Sequence, residues 1–214
     1  KESTKPKKSS MKFCFIHRYE NFFRVVIYLL AALFLCYEMA LQVSPGIMTS
    51  SLMKDFSIGA TTLGITAAFY FYSYTLMQIP AGLLYDKFGP RKLITLSLII
   101  CSLGALFFGS THHIATLALG RFLMGIGSAF AFIGVLIVAA RWFHQRHFAL
   151  LVGIAQLLAA LGAMSGALPL AEATNAFGWR KTIDFLAFFG FAIAIFAALF
   201  IRDYPKNHPR KHED

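Results

Sequence analysis

Six long apolar runs constrain this chain more than any other feature. They occupy about residues 25–47, 63–84, 93–110, 114–140, 148–170 and 183–201. Each is close to the roughly 20 residues that a helix needs to cross the hydrocarbon core of a bilayer. Hydrocarbon offers backbone N–H and C=O groups no partner, so such a run crosses only as a helix that satisfies its own hydrogen bonds. The segments between the runs are too short to fold as domains. The expected fold class is therefore all-α: an integral membrane bundle of six transmembrane helices over 25–201. A basic tail (1–24) precedes it, and a polar stretch (202–214) follows. Composition agrees, with 57% of residues hydrophobic and 14% charged, against roughly 25% charged in soluble domains. The first run is too long for the core of a signal peptide and five more follow it, so no cleavage is expected. The chain begins at Lys1; Met11 is an alternative natural start.

The formal net charge of +10 raises the question of nucleic acid. Its distribution answers with topology instead. Sixteen of the twenty Lys and Arg residues lie before the first run, between the second and third, between the fourth and fifth, or after the sixth. Lys54, Arg180 and Lys181 fall on the opposite side, and Arg121 lies inside a run. The positive-inside rule then puts both termini in the cytoplasm. The partner that these charges imply is the lipid bilayer, with no nucleic acid. The expected location is a multi-pass protein of a bacterial inner (plasma) membrane.

Nothing in the chain reads as an enzyme. Cys14, Cys36 and Cys101 cannot form a paired framework. His112-His113 and His144-x-x-His147 lack Cys or acidic neighbours at metal-ligand spacing. No nucleophile–base set or phosphate-binding glycine loop is present. We expect no metal, no cofactor and no catalytic residue.

Short connections make successive helices antiparallel neighbours, so two groups of three start in opposite orientations. This is the 3+3 inverted pattern of many secondary transporters. No residue-level repeat is evident between the groups, and the symmetry is inferred from topology. Gly120, Gly125, Gly127, Ser128 and Gly134 in the fourth run, and Gly153, Ala159, Gly162, Ala163 and Gly166 in the fifth, predict close backbone packing there. The Phe residues at 185, 188, 189, 191, 196 and 200 surround the sixth run and suit a wall facing lipid.

One stretch interrupts the apolar pattern sharply. Between the second and third runs stands Gly82-Leu-Leu84-Tyr-Asp86-Lys87-Phe-Gly89-Pro90-Arg91-Lys92. Glycines at 82 and 89 permit a turn where a Cβ would clash. Asp86 suits a helix N-terminus or a neighbouring cation, and the basic residues hold the turn at the cytoplasmic face. This loop resembles the signature of the major facilitator superfamily between its second and third helices. "LALGRFLMGIGSAFAFIG" is similar to that family's fourth-helix pattern, with Arg121, Gly125 and Gly127 in register and Met124 where Gln is frequent. "ARWFHQRHFALLVGI" and "FGWRK" extend the likeness to about residues 25–205. The resemblance implies the N-terminal six-helix half of a major facilitator fold. A second bundle, as a missing C-terminal half or a second copy, would complete it. It further implies secondary active transport of a small polar solute (organic anion, amino acid or similar) by alternating access, coupled to protons. Gly82, Asp86, Lys87, Gly89 and Arg91 would form a conformational latch loop. The alternative is a non-transporting scaffold or accessory protein, or a truncated half-transporter.

Ionisable residues inside spans are costly and mark solute or ion pathways. Glu38 lies about ten residues from the outer end of the first run and Arg121 about seven from that of the fourth. At about 1.5 Å per residue their depths nearly match, so an ion pair between them is expected wherever their faces meet. Glu38 and Gln42 share a helical face. Tyr70, Tyr74 and Gln78 form a similar stripe in the second run, Arg121 and Ser128 one in the fourth, and Gln156 stands alone in the fifth. Converging, these eight residues would line one solute and proton pathway.

Overall fold

The computed structural model describes the backbone of residues 8–204, and side chains over 22–204 apart from 165–167. The expectations for residues 1–7 and 205–214 lie outside the described residues. The chain is built from α1 (Lys8–Ile47), the short α2 (Thr49–Phe56), α3 (Ala60–Ser110), α4 (Ile114–Trp142), a single 3-10 turn at Gln145–His147, α5 (Phe148–Phe177) and α6 (Trp179–Phe200). Two segments read as outer loops are helical. Residues 49–56 form α2, which buries Leu52, and α5 runs seven residues past the expected limit of 170 to Phe177.

The 51 residues of α3 hold two expected runs. A straight helix of that length would measure about 75 Å, more than twice the hydrocarbon thickness. It breaks at Gly89, whose φ of 76° and ψ of 163° suit only glycine. Packing against α4 gives the direction of each arm. From the first arm (60–88), Ser73 Oγ donates to the Phe122 carbonyl at 2.8 Å and the Tyr85 hydroxyl to that of Phe130 at 2.8 Å. The numbers rise together, so the strokes are parallel. In the second arm (90–110), Gly104 lies against Gly120 and Met124, Cys101 against Gly127, and Ile94 against Gly134. There the numbers run oppositely. The arms are therefore antiparallel, and α3 supplies two crossings of a six-helix bundle.

Glycines set these distances. A Cβ on Gly125 would collide with the Tyr70 carbonyl, and one on Gly162 with the backbone of Cys36. Gly162 thus serves the α1–α5 contact, where the Tyr28 hydroxyl also donates to the Leu151 carbonyl at 2.6 Å. Gly166 lies among the residues whose side-chain environment is not described. On α6, Phe185, Phe188, Phe189, Phe196 and Phe200 are exposed, as a lipid-facing wall requires, while Phe191 is half-buried.

The latch stretch differs from a loop in an informative way. Residues 82–88 remain helical, and a Cβ on Gly82 would meet nothing within 4 Å. The steric need for glycine holds at Gly89 only. Asp86 is exposed near the end of the first arm and makes no hydrogen bond or ion pair among the described residues, so it does not cap a helix N-terminus. Asp203 takes that part: its Oδ1 accepts the Arg91 N–H at 2.9 Å, at the start of the second arm.

The two halves also share a residue pattern that a run-by-run comparison does not show. Phe88-Gly-Pro-Arg-Lys92 and Phe177-Gly-Trp-Arg-Lys181 have the same spelling at four of five positions. Gly89 and Gly178 adopt the same backbone, with φ of 76° and 84°.

Candidate functional site

Glu38 and Arg121 are the charged residues that the fold buries among those described, each 1% exposed. They do not form the expected ion pair. Tyr70, fully buried on the first arm of α3, stands between them. Its hydroxyl donates to Glu38 Oε1 at 2.7 Å, and the Arg121 guanidinium lies 4.5 Å from its ring centroid. The geometry follows from Gly125. Because that residue has no side chain, α4 reaches the backbone of the first arm at Tyr70, and Arg121, one turn earlier on α4, is carried onto the ring.

Arg121 is moored to α1 through backbone rather than through a carboxylate. Its Nη1 donates to the Leu41 carbonyl at 3.0 Å and its Nη2 to that of Gln42 at 3.4 Å. The Leu41 carbonyl is free because its helical partner four residues on is Pro45, which has no N–H. Ser44 Oγ takes the same carbonyl at 2.8 Å. This mooring was legible in principle: a proline inside an apolar helix announces a carbonyl in need of a donor.

Two polar atoms of the cluster stay unsatisfied. Glu38 Oε2 and Arg121 Nε are buried without a hydrogen-bond partner. An orphaned charged atom in the interior is costly, and such groups are where a proton or an anionic solute can be received. The other expected residues divide. Tyr74 is half-buried and stacks on Tyr70 with centroids 6.0 Å apart. Gln78, a turn further, and Gln42 are half-buried. Ser128 is buried between the two arms of α3, its Oγ 3.6 Å from Cys101 Sγ and beside the Tyr70 side chain. Gln156 is exposed on α5, outside the cluster. The residues brought together are Glu38, Tyr70, Tyr74, Arg121, Ser128 and the Gln42 backbone.

A second polar cluster was missed in the sequence. Where α2 meets the start of α6, Trp179 Nε1 donates to Asp55 Oδ2 at 2.7 Å and Arg180 Nη2 lies 3.5 Å from the same oxygen. Arg180 thus takes an acidic partner from α2.

The profile described as Major Facilitator Superfamily matches residues 30–214. An uncharacterized transporter of Bacillus subtilis, YybO, is 31% identical over 171 residues, 79% of this chain and 39% of that protein. A probable sulfoacetate transporter of Cupriavidus necator, SauU, is 25% identical over 79% of this chain and 39% of its own length. A probable galactarate/D-glucarate transporter of Pseudomonas putida, GudP, is 34% identical over 58% and 28%. The chain thus spans about two fifths of the length of the first two relatives. Among solved structures, a bacterial homolog of the human lysosomal transporter Spinster, inward-facing and unoccupied, superposes with a TM-score of 0.77. It is 19% identical and covers 87% of this chain and 44% of that one, a likeness of fold.

Proposed function

This chain belongs to the Major Facilitator Superfamily, and on that premise we propose that it forms one six-helix bundle of a secondary transporter for a small organic anion. The observation that carries the reading is Arg121, a buried guanidinium whose Nε has no partner. A carboxylate or sulfonate can take such a group in paired hydrogen bonds. Relatives named as transporters of sulfoacetate and of galactarate or D-glucarate support an anionic solute. Glu38, the one buried carboxylate among the described residues, supplies the proton-coupling group. Glu38, Gln42, Tyr70, Tyr74, Gln78, Arg121, Ser128 and Gln156 are proposed as the pathway, with Gln156 on its rim. A second six-helix bundle would cover this face, because alternating access needs one bundle to rock against another.

The test is uptake by the full-length gene product in proteoliposomes, against a panel of sugar acids, sulfonates, amino acids and neutral sugars. Saturable uptake of organic acids, competed by other organic acids, supports the reading. Uptake confined to neutral solutes overturns it. For orientation, we propose that the Gly89 turn and both termini face the cytoplasm. In a background with Cys14, Cys36 and Cys101 replaced by Ser, an impermeant thiol reagent should label cysteines at the exposed Ser57 and His112 positions from outside. A cysteine at exposed Phe88 should react only after permeabilisation; labelling there in sealed cells would invert the topology.

A further inference from the structure

We propose that Tyr70 is the relay that joins the charge state of Glu38 to the availability of Arg121, an inference that rests on the transport reading above. Among the described residues, Tyr70 is the side chain that touches both groups through distinct parts: hydroxyl to carboxylate, ring face to guanidinium. A phenol donating to an ionised carboxylate makes a charge-assisted bond. That bond draws the O–H outward and enriches the ring, which strengthens the hold of its face on a cation. With Glu38 charged, Arg121 is therefore held by the ring and by the carbonyls of Leu41 and Gln42.

A proton entering from water adds to Glu38 Oε2, the oxygen without a partner. Tyr70 keeps its own proton throughout. Its bond to the neutral acid is weaker, the ring loosens, and Arg121 is released toward the anion. The titratable groups around Glu38 are few. Tyr37 neighbours it on α1, Tyr70 and Tyr74 come from the first arm, Cys101 from the second, and Arg121 stands behind the Tyr70 ring. Neither α5 nor α6 carries a titratable side chain at this depth.

The experiment compares full-length wild type, Tyr70→Phe and Tyr70→Leu in proteoliposomes, reading initial uptake rate and KM across external pH. Phe keeps the ring but not the donor. We expect its pH dependence to flatten from about tenfold across two pH units to under about twofold, with KM within about threefold of wild type. Leu removes both contacts and should also raise KM by about tenfold. Wild-type uptake of organic acids without pH dependence overturns the relay and leaves the transport reading standing, whereas no uptake of any organic acid overturns that reading together with the relay. PH-dependent wild-type uptake with an unchanged slope in Tyr70→Phe overturns the relay alone. If Tyr70→Phe fails to fold, the Glu38→Gln/Tyr70→Phe protein, in which no carboxylate is left without its Tyr70 donor, is measured instead. A solute KM equal to that of Glu38→Gln supports the relay; a tenfold difference from it overturns it.

A different observation carries a second proposal. In each repeated Phe-Gly-x-Arg-Lys stretch, the arginine opens one helix and caps the end of another. Arg91 donates from Nε and Nη2 to the Ala198 carbonyl at 3.0 and 2.8 Å, in the last turn of α6. Arg180 donates from Nη1 to the Thr111 carbonyl at 3.0 Å, just past the end of α3. C-terminal carbonyls lack helical donors and carry the negative end of the dipole, so a cation is favoured there. We propose that these reciprocal caps clamp the second arm of α3 and α6 into one unit, closed independently at each membrane face. Spin labels on exposed Lys92 and Leu199 report the inner end, and labels on exposed Phe107 and Phe185 the outer. Arg91→Ala should broaden the 92–199 distance distribution and leave 107–185 unchanged, and Arg180→Ala should do the reverse. Equal broadening of both pairs by either variant, or no change at its own end, would overturn the clamp.

Discussion

A Glu38→Gln protein is expected to equilibrate its solute across the membrane but not to concentrate it. The amide preserves the shape of the carboxyl and can still accept the Tyr70 hydroxyl now found 2.7 Å from Oε1. It can neither take up nor release a proton. One pH unit across the membrane is worth about 1.4 kcal/mol per coupled proton, a tenfold solute gradient. Under a gradient of that size, the wild-type protein should reach about tenfold accumulation, whereas the Gln variant should stop near equal concentrations. Exchange of internal for external labelled solute needs no net proton movement and should survive in part. Arg121 keeps its bonds to the Leu41 and Gln42 carbonyls when the carboxylate is neutralised, so folding should be spared. Normal uphill uptake by the Gln variant would take Glu38 out of the coupling step.

Gly125→Val should produce the largest loss of folded protein of any single replacement in α4. A Cβ there falls on the Tyr70 carbonyl and on Ser73 Oγ, so the obstacle is largely main chain and cannot rotate away. Overpacking of this kind costs about 3 kcal/mol at the upper end of its usual range. For a chain of this size that corresponds to a fall of roughly 10 °C in Tm. A thiol-reactive dye reporting exposure of the buried Cys101 can follow it in detergent. Gly153→Val is the control, because a Cβ at Gly153 meets nothing within 4 Å. A Gly125→Val protein melting with the control would show that α4 and the first arm have room to part. The clash also predicts that any folded remnant loses transport, since separating these helices moves Tyr70 away from Arg121.

Hydrophobic length was enough to read the six crossings, because a lipid-exposed backbone leaves a long apolar run no alternative to helix. Small residues in the fourth run announced its packing for a similarly local reason. Connections were harder. A run of eight polar and apolar residues such as 49–56 can be loop or helix by composition, and its burial of Leu52 decided for helix. The break in α3 was expected across 82–92, yet it is confined to Gly89. Helical hydrogen bonds continue from both sides until one residue adopts a φ that other residues rarely take.

The candidate site divides in the same way. Which residues would be expensive inside a membrane was a property of sequence, and Glu38 and Arg121 stood out on that ground alone. How they are partnered was not, since it depends on which faces of α1, α3 and α4 meet. Depth along each helix can be counted from its ends, but rotation about its axis is set by packing at glycines 125 and 127 on a neighbour. That rotation put the Tyr70 ring between carboxylate and guanidinium and turned Gln156 outward. Likewise, the paired Phe-Gly-x-Arg-Lys stretches were present in the sequence from the start. Their meaning needed the tertiary structure, because each arginine acts on a carbonyl about 70 to 110 residues away. Sequence determined which groups had to be buried and where the chain could turn. Packing decided which of those groups touch, because contact depends on helix rotation, and rotation is fixed only when the whole bundle closes.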